Sequence, residues 1–347
     1  MAIRTKKPED VGPEAVEELF DLMKIDEEWS VRRPQGYSWW GHRHRQDVSA
    51  GPEVRSEGIV ICRLQARTAM VRDVPLSDRL ELLVATLNAH AALNAIVLDR
   101  AARRVFLSSH FVLHRGTLDW GLSLFASAVA TQAVEAVLLA GLYSSMGFGE
   151  LDETPHPLSG ARPEPDEMLS VVEQVYAPVG RQPSRFPASE FEKIGRSRKG
   201  PSVLTSASGA ALTAEFPFTG STSSALRFAS RQAGEDPGGP ETAPFQATAE
   251  AEHPRYGSGC LLLLRLPRGG ITPEVVNRLN LAEANGQFFG YGLGAWCVSD
   301  ETAVHACFLP SAAYRPGLLE AMMLDRAGRT LWARGRLLGP EQGTGPQ

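Results

Sequence analysis

Cysteine is scarce in this chain: four residues in 347, Cys62, Cys260, Cys297 and Cys307, with no Cys-x-x-Cys pair. That spacing gives no support to a disulfide framework, a zinc knuckle or a thioredoxin-type redox pair. Three of the four sit in apolar, strand-like runs, where cysteine acts as a small hydrophobe, so buried free thiols in a reducing, cytoplasmic compartment are expected. Charge of one sign is also lacking. The formal net charge is −5 and the charged fraction 22%, which argues against a surface built throughout for nucleic acid and against a disordered chain. The basic N-terminus is followed by no apolar signal-peptide core. No strand leads into a G-x-G-x-x-G or G-x-x-x-x-G-K-[ST] loop, and G-x-S-x-G is absent, so no cofactor and no elbow nucleophile is expected. Only one long apolar run exists, Leu122 to Leu142. Its Glu135, Gln132 and Thr131 would be costly at mid-bilayer, which predicts a helix buried in protein and no membrane partner.

What is present is repetition. Val74-Pro75 and Leu266-Pro267 lie 192 residues apart, as do Leu83-Val84 and Val275-Val276, and Leu87-Asn88 and Leu279-Asn280. Further on, Leu93 to Leu98 is answered by Gly292 to Val298, and Arg104 to Leu107 by Ala306 to Leu309. Each copy closes on a helix, from about Leu118 and Leu318. A length of 347 residues suits about two domains.

The elements follow from periodicity. Val16, Leu19, Phe20 and Met23 form the apolar stripe of a first helix beginning at Pro13. Tyr37–Arg45 and Gly58–Arg72 read as strands. Ser77 caps a helix striped by Leu80, Leu83, Val84 and Leu87, and two strands and a helix follow. Residues 147–165 carry four prolines and an acidic excess, the composition of a solvated linker. A helix is expected from Asp166 to Tyr176, then an irregular stretch from Gly180 to Pro201. Strands follow at Val203–Ala207, Ala210–Phe216, Ser224–Arg231, Phe245–Glu252 and Gly259–Leu266, then a helix capped by Thr272 with Pro273 at its first position. The reading is α+β: two tandem two-layer sandwiches, residues 10–146 and 166–334, each an antiparallel sheet packed with helices, and a flexible tail over 335–347.

This order, with Leu87-Asn88 and Leu279-Asn280 leading into a strand pair and a closing helix (Val105-Phe106-Leu107, Cys307-Phe308-Leu309), resembles the type III secretion chaperone-like family. That family includes the YbjN-like regulators and tandem chaperone-like proteins of high-GC bacteria. The resemblance covers about 10–145 and 165–334. It implies a non-enzymatic protein that holds a polypeptide partner, as a dimer of units or, here, as a covalent pseudo-dimer. It carries no catalytic residues. The strands expected at 201–231 depart from the compact pattern.

The residues themselves leave three classes open. His42, His44, His110 and His114 could gather a metal for an enzyme, but Arg43 and Arg45 would repel a cation, so exposed sheet-edge histidines are expected. Glu17-Glu18 and Asp26-Glu27-Glu28 read as solvated faces, and the basic cluster Lys193 to Lys199 as a solvated run. The first sheet offers more. Alternation places Tyr37, Trp39, Arg43 and Arg45 on one strand face and Arg63 and Arg67 on another. If both are the open face, the composition suits a binding hot spot for protein or peptide, or a stacking platform for single-stranded nucleic acid. The alternative for the tryptophans is burial beneath the first helix. A chaperone-like or adaptor protein, monomeric pseudo-dimer or homodimer, is the favoured expectation.

Overall fold

The computed structural model describes residues 11–56, 58–176, 182–197, 204–218 and 241–338. The expected strand at Ser224–Arg231 and the tail from residue 339 lie outside them. The chain is α+β, with two antiparallel sheets and seven α-helices among the described residues.

The first part runs α1 (Val11–Leu22), β1 (Ser30–Arg33), β2 (Gly36–Trp40), β3 (Arg45–Ala50), β4 (Val54–Ser56), β5 (Ile59–Arg72), α2 (Asp78–Asn88), β6 (Ala95–Asp99), β7 (Arg104–Leu113), α3 (Leu118–Ser145) and β8 (Glu150–Leu151). Its sheet is ordered β1-β2-β3-β5-β7-β6, with β4 and β8 also pairing β5. The second runs α4 (Glu167–Tyr176), α5 (Ala188–Ser197), β9 (Leu204–Ser208), β10 (Ala211–Pro217), β11 (Thr242–His253), β12 (Gly257–Arg265), α6 (Pro273–Ala284), β13 (Ala295–Ser299), β14 (Thr302–Pro310) and α7 (Leu318–Leu338). Its sheet is ordered β9-β10-β11-β12-β14-β13. Both sheets are therefore a meander whose last strand pairs with the far arm of the hairpin that follows α2 or α6.

Local chemistry accounts for these elements. Val16, Leu19 and Phe20 are buried on the stripe of α1, and Ser77 Oγ accepts from Leu80 N (3.3 Å) at the start of α2. Thr272 makes no such side-chain bond, and Pro273 alone sets the first turn of α6. In β5 the alternation puts Cys62, Leu64, Ala66 and Met70 inward. A bulge between Ala69 and Val71 shifts it, so both Met70 and Val71 are buried. α3 lies close on β5 and β7 because Gly121 has no side chain: a Cβ there would meet Leu113 Cδ2 at 2.6 Å. α3 is the one helix among the described residues long and apolar enough to cross a membrane, and two-thirds of that run is buried inside the protein (67%).

The Leu-Asn repeat has a physical meaning. Asn88 donates to Ile96 O (2.8 Å) and accepts from Ile96 N (2.9 Å). Asn280 does the same with Trp296 O (2.9 Å) and N (2.8 Å). Each amide pairs with the backbone as a neighbouring strand would, fixing the edge strand β6 or β13 to its preceding helix. Eight residues separate Asn88 from Ile96, and sixteen separate Asn280 from Trp296. The second copy therefore carries an insertion at the end of α6.

Several expectations are corrected. Tyr37–Arg45 is not one strand: β2 ends at Trp40, residues 41–44 turn, and β3 begins at Arg45. The pairing of Leu107 with Leu309 fails. With Ile96 set against Trp296, the ladders make Leu107 the counterpart of His305, because the second hairpin turns on only Asp300 and Glu301, both at positive φ (49° and 58°). The irregular stretch from 180 contains α5, and α7 continues through 335–338. The linker is solvated over much of its length but anchored at three points: Phe148, Asp152 and His156 are buried, Trp40 Nε1 donates to Thr154 O (2.5 Å), and the His156 ring sits edge-on to Trp40 at 4.8 Å. Three of its acidic residues face basic ones: Asp152 faces Arg104 (3.6 Å), Glu150 faces Arg72 (3.2 Å) and Glu153 faces Arg43 (3.5 Å).

Candidate functional site

The six residues singled out for partner binding do not form one face. Tyr37 and Trp39 are buried under α1, and Tyr37 meets Phe20 edge-on at 5.1 Å. Arg43 and Arg45 leave that face because the chain turns at Gly41. Arg43 faces Glu153 (3.5 Å) and Arg45 faces Asp47 (3.0 Å), both with exposed side chains. Arg63 and Arg67 remain together on the opposite side of the sheet, with Gln65 between them.

That second group is occupied by the chain itself. Arg63 Nη2 donates to Glu283 O (2.9 Å), Gln65 Nε2 to Ala284 O (2.5 Å), and Arg67 Nη2 to Ala284 O (2.6 Å) and Asn285 Oδ1 (3.0 Å). Alternation along β5 aims these three side chains one way. What they meet is the C-terminus of α6, whose last carbonyls lack helical partners and carry the negative end of the dipole. Burial, then the neighbouring Arg67, pulls the Arg63 guanidinium down to about 10, with Glu283 opposing; it stays charged near neutrality.

The joint is reciprocal. α2 and α6 pack on each other, α6 also lies against β6, and α2 against β13. His110 N donates to Gly292 O (3.2 Å) and Gly292 N to His110 O (2.9 Å), while on the other side Phe308 N donates to Ala91 O (3.0 Å). His110 lies over the bare Cα of Gly292, where a Cβ would come within 1.9 Å of its ring.

Behind this joint is a buried ionic cluster that sequence reading missed. The Glu283 carboxylate accepts from Trp296 Nε1 (2.6 Å) and from Arg329. Arg329 also donates to Tyr291 O (2.6 Å) and Asp325 Oδ2 (3.3 Å). Arg326 donates to Asp325 Oδ2 (2.5 Å) and Leu293 O (3.3 Å). Both arginines are fully buried. Burial and the adjacent Arg329 lower the pKa of Arg326; for Arg329, burial is outweighed by Glu283 and Asp325, which raise it. The available signal was positional: Arg326 and Arg329 continue the stripe Leu319, Met322, Met323, Thr330, Ala333.

The histidines also depart from expectation. His110 and His305 are buried, and burial followed by nearby arginines pushes both well below the ordinary imidazole value. His44 is buried, and His114 caps the turn before α3 through Gly116 N (3.1 Å). Among the described residues no three of His, Cys, Asp and Glu gather as a cation site. All four cysteines are buried and free. A cavity of about 10 Å³, the space of roughly one water, lies at the joint among Ala95, Ser108, His110, Asn280, Glu283 and Gly292. The cluster is chemically a clamp, each carboxylate held by arginine.

No protein-family model, curated protein or solved structure matches this chain.

Proposed function

We propose that the chain is a non-enzymatic, chaperone-like or adaptor protein whose two halves act as a covalent pseudo-dimer and bind a protein partner on their helical exteriors. The observation that carries this reading is the reciprocal helix-on-sheet joint between two sheets of like strand order. A pair of secretion-chaperone-like units would be complete within one chain. Its joint consumes the polar sheet face around Arg63 and Arg67, which leaves those donors unavailable to phosphates or to a peptide. Exposed apolar side chains on helices include Leu138 and Leu142 on α3, Val171 and Val175 on α4, and Leu324, Leu331 and Leu338 on α7; Val54, Ile59, Leu158 and Phe289 are exposed on strands and loops. Side chains of that kind offer burial to a partner without bond chemistry.

The test is in-cell cross-linking of the full chain followed by purification and mass spectrometry. A recurrent, near-stoichiometric polypeptide supports the reading. Recovery of none under any growth condition, or of nucleic acid in its place, overturns it.

A further inference from the structure

Set against each other by their ladders, the two hairpins differ at the joint. Ala95 pairs with Ser108 in β6 and β7, and Ala295 with Ala306 in β13 and β14. Ser108 therefore corresponds to Ala306 and, two residues on, His110 to Phe308. The backbones serve the joint in the same way: His110 N donates to Gly292 O (3.2 Å) and Phe308 N to Ala91 O (3.0 Å). The side chains do not. Phe308 packs with Ala92 and Tyr256 in one buried apolar cluster, and Ala306 with Cys297 and Val304 in another. Ser108 and His110 instead line the cavity of about 10 Å³.

These two residues are 3% and 2% exposed, and alternation puts them on one face of β7. Ser108 Oγ and His110 Nε2 find no hydrogen-bond partner among the described residues. Buried polar atoms are almost always paired, and here two unpaired ones border one space. Across the joint the lining includes Glu283, whose carboxylate is held by Trp296 Nε1 (2.6 Å) and Arg329 and keeps acceptor capacity to spare. Small residues hold the space open: Ala95, Ala284, Gly292 and Gly294 complete the wall with Asn280.

Size and charge select the occupant. The volume admits about one molecule of water size. Arg63, Arg67 and Arg329 face His110 and would repel a cation, while Glu283 would repel an anion. The occupant must donate to Glu283, because a carboxylate only accepts, and must satisfy His110 Nε2 whichever ring nitrogen carries the proton. Water, both donor and acceptor, meets each demand.

We propose that the joint cavity is a binding site for a single ordered water held by Ser108 Oγ, His110 Nε2 and the Glu283 carboxylate. About three contacts is the usual number for a buried water. The water bridges the sheet of the first half to the ionic cluster of the second, on the one side of the joint where the matching residues are polar. The site goes beyond the proposed function and stands whether or not a partner protein binds.

The test is a crystal structure of the full chain near neutral pH, at a resolution that shows ordered solvent. It is joined to water-oxygen magnetic relaxation dispersion in solution, which counts long-lived internal waters. The expected result is a single density peak within hydrogen-bond reach of all three groups. Ser108→Ala combined with His110→Phe copies the residues of the second half and should lower the long-lived count by one, with circular dichroism verifying the fold. A cavity without density, a peak that refines as an ion, or a His110 ring turned onto a protein acceptor overturns the site. So does a folded double variant that keeps the wild-type count. Should the double variant fail to fold, the density in the wild-type crystal decides alone.

Discussion

Two asparagines do the work of a missing strand. Asn88 and Asn280 each offer one donor and one acceptor to the edge strand beside them, and both are buried. Asn280→Ala would strand the N–H and C=O of Trp296 without water. The expected cost is about 2–4 kcal/mol, since each buried orphan forfeits its desolvation energy, read as a lower urea midpoint at unchanged m-value. A loss under about 0.5 kcal/mol would show that the edge strand holds without the clamp. The Leu-Asn repeat was legible as a repeat, because residue identity at fixed spacing needs no structure. Its role was not, because the partner backbone lies sixteen residues on. Arg63 and Arg67 show the same division. Alternation along β5 identified their shared face, but their acceptors on α6 are more than 200 residues away. Arg67→Met keeps the packing and leaves Ala284 O and Asn285 Oδ1 without this donor. About 1.5–3 kcal/mol of destabilisation is expected for a charged donor, and hydrogen exchange should quicken at the end of α6 before it quickens in β5.

At the scale of elements, what pattern could reveal depended on how local the determinant was. α1, α2 and α4 were readable because a 3.6-residue stripe belongs to the helix alone. The break between β2 and β3 was hidden because Tyr37 to Arg45 alternates through a turn as smoothly as through a strand. α7 was readable as a helix, but which side it buries was not: two arginines on its apolar stripe are buried against Glu283 and Asp325, while three leucines on the other side are exposed. That inversion makes a clean prediction. Gly328→Ala and Gly335→Ala add helix propensity where no neighbour is struck, so each should stabilise the isolated chain by about 1 kcal/mol, visible as a higher melting temperature. Destabilisation by either would mean that the glycine already serves a contact inside the molecule.

For the molecule as a whole, the joint between the halves should depend on pH. His110 sits there with Nε2 unpartnered, facing Arg63, Arg67 and Arg329; His305 has both ring nitrogens unpartnered and faces Arg326, Arg329 and His110. Desolvation and these cations hold both rings neutral, with native pKa well below 6.5. In the unfolded chain the same rings take up protons near pH 6.5. Below that value the unfolded state binds more protons, so stability present above pH 6.5 is lost as the pH falls toward the native values. The slope approaches about 1.4 kcal/mol per pH unit for each ring. Half-buried Glu135, which accepts from Asn94 and Tyr256, has its pKa raised by desolvation and acts in the opposite direction, resisting acid near the carboxylate range. The histidine effect should therefore stand clear between about pH 6.5 and 5.5. Because the rings lie at the joint, the amides crossing it, His110 to Gly292 and Phe308 to Ala91, should lose protection before those within either sheet. His110→Phe combined with His305→Leu should make the urea-midpoint profile less steep over that interval, leaving the share of His42, His44 and His253, whose pKa values desolvation also lowers, and keep the crossing amides protected. A double variant as acid-sensitive as wild type would place the titrating groups elsewhere and leave the clamp of arginines and carboxylates as a purely structural joint.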